Sequence, residues 1–122
     1  MNSQPKVLVV DDELSTRVTI ESILASENYE LHFAENGVEA LSMVAGIAPD
    51  IILLDVMMPG LSGFDVCKKI RSMPGLTEVP IVLVTALDDR ESRMAGMKAG
   101  ADDFVTKPFD NHELRLRVQN MT

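Results

Sequence analysis

The chain has 122 residues, 46% of them hydrophobic, enough to bury one core without disulfides or a structural metal. Its formal net charge of −8 would be repelled by a nucleic-acid backbone, which argues against direct nucleic-acid binding. A single cysteine, Cys67, leaves no internal disulfide and fits a reducing compartment.

In chain order, the first residues are polar and lead into the apolar run Val7–Val10, too short for a signal peptide or a membrane span. The chain therefore reads as cytoplasmic, with no membrane contact. Asp11, Asp12 and Glu13 follow, then an i, i+3, i+4 stripe of Ile20, Ile23 and Leu24 that predicts a helix. Leu31–Ala34 is a weaker run that suits an edge strand. Asn36 and Glu39 have capping-box spacing and open a helix with the stripe Val38, Leu41, Val44 and Ala45, with Gly46 placed as its left-handed cap. Ile51–Leu54 is a second continuous run and ends at Asp55. Gly60 and Gly63 read as turn residues after Pro59, and Ser62 with Asp65 opens a helix carrying Val66, Ile70 and Met73. Ile81–Val84 is the third continuous run and ends at Thr85. Met94 and Met97 mark a fourth helix capped by Gly100, and the short run Phe104–Val105 leads to Lys107 and Pro108. Asp110 with Glu113 opens a last helix through Leu114, Val118 and Met121, whose pattern is still running at Thr122.

Strand and helix thus alternate five times, with connections suited to right-handed crossovers. The expected fold is α/β: one (βα)5 domain over residues 1–122, a doubly wound parallel five-stranded sheet with helices on both faces. Continuous Val/Ile/Leu runs are what strands buried on both faces require.

Ligands of open α/β sheets bind beyond the carboxyl ends of the strands. The residues just past the apolar runs are Asp11 and Asp12, Asp55, Thr85, and Lys107 with Pro108. Three carboxylates meeting in one crevice repel one another unless a cation neutralises them, and Mg²⁺ suits hard oxygen ligands with retained waters. A carboxylate can act as a nucleophile and form an aspartyl phosphate. Lys107 offers a point charge and Thr85 a hydroxyl donor, so nucleophile, metal, cation and donor are all present for phosphoryl transfer. Singly, each has an ordinary explanation: Asp11 as a helix cap, Asp55 as a loop acid, Thr85 as a strand former, Lys107 as a solvated lysine. His32 and His112 lack metal-ligand spacing and read as surface residues. Cys67 and most of the methionines read as core.

The segments VLVVDDE, ILLDVMMPGLSG, IVLVTA and GADDFVTKPF together resemble the receiver domain of two-component response regulators over nearly the whole chain. That resemblance implies the strand order 2-1-3-4-5 and phosphorylation of Asp55 by a sensor histidine kinase or a phosphotransfer protein. It implies Mg²⁺ bound directly by Asp12, by Asp55 and by the Met57 backbone carbonyl, with Asp11 acting through a water. Thr85 and Lys107 match the family's phosphate contacts, Lys107–Pro108 its cis peptide, and Thr85 with Phe104 its switch pair. The positions that flank the phosphoryl group by resemblance are Met57 and Leu87, two residues after Asp55 and Thr85. A static core role for Phe104 weighs equally on the residues alone.

The implied activity is a switch that acts on itself, with an output domain or partner protein and a phosphorylation-dependent dimer as its targets. A haloacid-dehalogenase-like phosphatase needs a second acid where Met57 stands. A flavodoxin-like carrier needs a hydroxyl- and glycine-rich cradle where Asp11, Asp12 and Glu13 stand. A receiver that works without phosphate is disfavoured because every chemical position is filled. The stretch ALDDRESRMAGMKAGADDFVTKP is similar to receivers attached to diguanylate cyclases, and the unfinished last helix suits the N-terminal part of a longer regulator.

Overall fold

The three continuous apolar runs form the centre of a five-stranded parallel sheet in the computed structural model of the protein, which describes residues 4–122. They are β1 (Lys6–Val10), β3 (Ile51–Leu54) and β4 (Ile81–Thr85); the weaker runs give the edges, β2 (Glu30–Ala34) and β5 (Asp103–Thr106). The order is β2-β1-β3-β4-β5, as the resemblance implies. β3 and β4 are buried throughout, whereas most of β2 and β5 is only half-buried, because an edge strand has a neighbour on one side only.

Alternation along the strands sends their side chains to two cores. Leu8, Val10, Ile52, Leu54, Ile81 and Leu83 face α2 (Gly37–Ile47), α3 (Gly63–Arg71) and α4 (Arg90–Ala99). Val7, Val9, Ile51, Leu53, Val82, Val84 and Val105 face α1 (Leu14–Leu24) and α5 (Asn111–Met121). Ile20, Ile23 and Leu24 close the second core from α1, and Leu114 and Val118 close it from α5, as their spacing predicts.

Helix starts follow the expected caps with differences in detail. Ser62 and Asp65 form a complete reciprocal box. The Asn36 side chain accepts from the Glu39 amide, but the Glu39 carboxylate turns to the Glu35 amide instead. Asp110 accepts from the amides of His112 and Glu113, while Glu113 lies 3.8 Å from Arg117. Asp89 caps α4 by accepting from Ser92, a pair the sequence reading passes over.

Three expectations need correction. Gly46 lies inside α2, and the left-handed cap is Ala48 at φ 51°. Pro49 favours this end, since right-handed helix is disfavoured for the residue before a proline. Gly100 is left-handed at φ 105°, as expected. Val38 is exposed, and α2 instead buries Gly37, Ala40 and Val44. Met94 and Met97 point outward, 46% and 74% exposed, and α4 packs through Gly96 and Ala99. A Cβ on Gly96 would lie 2.7 Å from Leu83 Cδ1, so close approach to the sheet selects the small residues for the inner face.

Candidate functional site

Parallel pairing in register brings the strand ends together. Val10 and Leu54 are partners across β1 and β3, and the Asp55 amide donates to the Val10 carbonyl at 2.9 Å. Asp11 and Asp55 therefore leave adjacent strands side by side. Across β4 and β5, Thr85 pairs with Thr106, and the Lys107 amide donates to the Thr85 carbonyl at 2.8 Å. This carries Lys107 back over the crevice, and its bond to Pro108 is cis, as the resemblance implies.

Carboxylate oxygens of Asp11, Asp12 and Asp55 lie within 4.8 Å of one another. Asp11 and Asp55 are buried, whereas Asp12 is exposed at the rim. The Lys107 ammonium sits 2.8 Å from Asp11 Oδ2 and 3.5 Å from Asp55 Oδ2. Backbone amides supply the rest: Glu13 N–H donates to Asp11 Oδ1 at 2.9 Å, and Met57 N–H to Asp55 Oδ1 at 3.3 Å. The Met57 side chain is 60% exposed.

Burial raises the Asp55 pKa; Lys107 pulls it back, and the neighbouring Asp11 pushes it up further, leaving a net rise. For Lys107, burial works against the charged form, but its hydrogen bond to Asp11 and the nearby Asp55 outweigh it and hold the ammonium charged. One half-buried cation among three close carboxylates leaves negative charge in excess. Hard oxygen donors with such an excess fit a divalent cation of the Mg²⁺ type.

Thr85 is fully buried, and its Oγ1 accepts from the Leu87 amide at 3.3 Å. Phe104 pairs with Leu83, so its ring lies on the same sheet face as Thr85, one pleat away along the adjacent strand. The ring is half-buried, with the Arg93 guanidinium 4.9 Å from its centre.

A family model for the response regulator receiver domain matches residues 7–119. The chain belongs to that family. The receiver domain is 48% identical over 117 residues to response regulator PleD of Caulobacter vibrioides, a match covering 96% of this chain and 26% of that protein. It is 43% identical to response regulator MprA of Mycobacterium avium, over 93% of this chain and 49% of that one. The chain thus spans a quarter to a half of the length of these curated relatives. Among solved structures, a response regulator from Chloroflexus aurantiacus superimposes with a TM-score of 0.92 at 36% identity, covering 98% of both chains. The chemotaxis protein CheY4 of Vibrio cholerae superimposes at 0.93 and 32% identity, covering 98% of this chain and all of its own. Family and fold both point to a signalling switch of the phosphoacceptor class.

Every side chain singled out at a strand end lies at the same end of the sheet. Other readings shift. Cys67 is buried, which pushes its thiol pKa up and fits a core role. His112 is exposed, but His32 is half-buried and contacts Glu30 at 2.6 Å. Gly60 is a turn glycine at φ 80°, whereas Gly63 opens α3, where a Cβ would lie 2.3 Å from the Asp55 carbonyl oxygen. Arg17 escapes the sequence reading altogether. Its guanidinium donates to the Asp11 carbonyl at 2.7 Å and to Glu35 at 3.3 Å, and no spacing in α1 announces either contact.

Proposed function

We propose that this receiver domain accepts a phosphoryl group on Asp55 from a sensor histidine kinase or a phosphotransfer protein, in a Mg²⁺-dependent reaction. The observation that carries the reading is the set of three carboxylates within 4.8 Å, with the Lys107 ammonium between the two buried ones.

An Asp55 oxygen attacks the phosphorus in line, the bond to the donor breaks, and the leaving group departs with that electron pair. Asp55 must be ionised to attack, and Lys107 favours that form against the opposing effect of burial. Lys107 then contacts a phosphoryl oxygen. Thr85, whose oxygen already accepts one hydrogen bond, donates its own O–H to another. Asp12, Asp55 and the Met57 carbonyl would hold Mg²⁺ directly; Asp11, already engaged by Lys107 and the Glu13 amide, would act through a water. Bound there, Mg²⁺ neutralises the carboxylates and the incoming phosphoryl charge.

Movement of Thr85 toward the phosphoryl group would let the Phe104 ring turn inward and re-shape the surface of α4, β5 and α5. Exposed Met94, Met97 and Leu116 offer that surface to an output domain or partner protein, or to a phosphorylation-dependent dimer. A diguanylate cyclase is the output module suggested by the resemblance. The acidic charge disfavours direct nucleic-acid contact. A cytoplasmic site of action suits the lone Cys67, which fits a reducing compartment; no helix among the described residues is long and apolar enough to cross a membrane. The chemistry is confined to the domain's own phosphorylation and dephosphorylation, with no external substrate.

The test is labelling by acetyl phosphate in excess Mg²⁺ and in EDTA, read by intact mass. One phosphoryl group is expected with Mg²⁺ and almost none without; equal labelling in both sinks the metal-dependent reading. In Mg²⁺ titrations Asp12→Ala should cost more affinity than Asp11→Ala, and the opposite order overturns the ligand assignment.

A further inference from the structure

Asp12 differs from its two neighbours in what holds it. Asp11 accepts from the Glu13 amide and from Lys107, and Asp55 from the Met57 amide and from Lys107. Asp12 is exposed, and its carboxylate takes no hydrogen bond among the described residues. Its placement within 4.8 Å of the other two is therefore set by the backbone that carries it.

The peptide joining Asp11 to Asp12 is gripped by one side chain. Arg17 Nη1 donates to the Asp11 carbonyl at 2.7 Å, and Nη2 meets Glu35 Oε1 at 3.3 Å. The Arg17 side chain is only 11% exposed. The second partner is itself tied down, since the Glu35 amide donates to Glu39 Oε1 at 2.9 Å. The guanidinium thus links the first turn of α1, the acidic loop after β1 and the loop after β2. A planar fork with both ends engaged is pre-organised in a way a lysine cannot copy.

We infer that Arg17 is a positioning residue for Mg²⁺ binding: it fixes the Asp11–Asp12 peptide so that the Asp12 carboxylate stays in reach of Asp11 and Asp55. The inference rests on the metal reading above. Its rival is plain charge compensation, a cation set among Asp11, Asp12, Glu13 and Glu35. The two predict opposite signs. Removing a positive charge from beside a cation site tightens binding by Coulomb's law. Removing a residue that orients a ligand weakens it, and loss of an outer partner of a metal ligand costs about 10-fold or more.

The experiment is an Mg²⁺ titration of the parent domain, Arg17→Met, Arg17→Lys and Glu35→Gln, followed by NMR. The Asp11 carbonyl carbon resonance is recorded without metal, and thermal unfolding in EDTA runs alongside. Arg17→Met should bind Mg²⁺ about 10-fold more weakly. Arg17→Lys, with its charge kept, should also weaken, while Glu35→Gln should stay near the parent. The Asp11 carbonyl resonance should move in both Arg17 variants. Parent-level or tighter Mg²⁺ affinity in Arg17→Met, or an unmoved carbonyl resonance, overturns the inference even if the melting temperature falls. Should Arg17→Met not fold, unchanged affinity in Arg17→Lys overturns it equally. A parent that takes no Mg²⁺ at the three carboxylates overturns the metal reading itself, and this inference with it.

Discussion

At the scale of single residues, the site is a balance between charge that the chemistry needs and charge that the fold resists. Asp55 is held near-buried with its pKa raised by burial and by Asp11, against the pull of Lys107. A carboxyl whose folded pKa lies above its unfolded value binds a proton more tightly in the native state, so its ionised form subtracts stability above the folded pKa. That penalty is relieved as pH falls through the folded value toward the ordinary 3.8. Asp55→Asn should therefore melt higher than the parent in EDTA at neutral pH, and the gap should shrink on acidification. Thermal unfolding of both proteins across pH checks it; a gap that is constant or widens toward acid would show that Asp55 does not carry the penalty. Lifetime is decided at the same scale. The Met57 amide touches Asp55, and the Leu87 amide touches Thr85, the proposed phosphate contact. Neither side chain can orient an attacking water. A long-lived phosphorylated state is therefore the expected outcome. Replacing them together, Met57→Asn with Leu87→Glu, should speed phosphate loss about 10-fold, the effect of one added hydrogen bond of about 1.4 kcal/mol in the transition state. A dephosphorylation rate in excess Mg²⁺ that is unchanged or slower would place control of the lifetime elsewhere.

At the scale of elements, α3 shows how a helix end serves the site. Ser62 Oγ accepts from the Asp65 amide, Asp65 Oδ2 accepts from the Ser62 amide, and Gly63 lets this first turn lie against the Asp55 backbone. Ser62→Ala should cost about 1 kcal/mol of stability, a fall of about 4 °C in melting temperature. Denaturant unfolding with no loss would mean that the box contributes nothing. This start was legible because Ser, Asp and the apolar residues behind them follow capping rules that depend on local sequence alone. Other features depend on what lies opposite. Met94 and Met97 look like a buried stripe, yet the closeness of Leu83 and Phe104 gives the inner face of α4 to Gly96 and Ala99. The end of α2 follows Pro49 instead of the more conspicuous Gly46. Arg17 and Arg93 were unreadable for the same reason. Long side chains find their partners across loops, and their positions in the sequence say nothing of where they reach.

At the scale of the whole molecule, the sheet places its chemistry where the chain direction reverses. β2 lies to one side of β1 and β3 to the other, so the crevice opens between β1 and β3, flanked by Asp11 and Asp55. Both were legible, because continuous apolar strands announce themselves and a polar residue just past each one must sit at the same edge. Two cores brace that edge from both faces, which lets the fold tolerate clustered carboxylates. At this edge one residue, Asp55, is expected to accept one phosphoryl group. Intact-mass analysis of the parent and of Asp55→Asn after acetyl phosphate treatment in Mg²⁺ tests it most directly. A single added phosphoryl group is expected on the parent and none on the variant; equal labelling of Asp55→Asn would overturn the assignment.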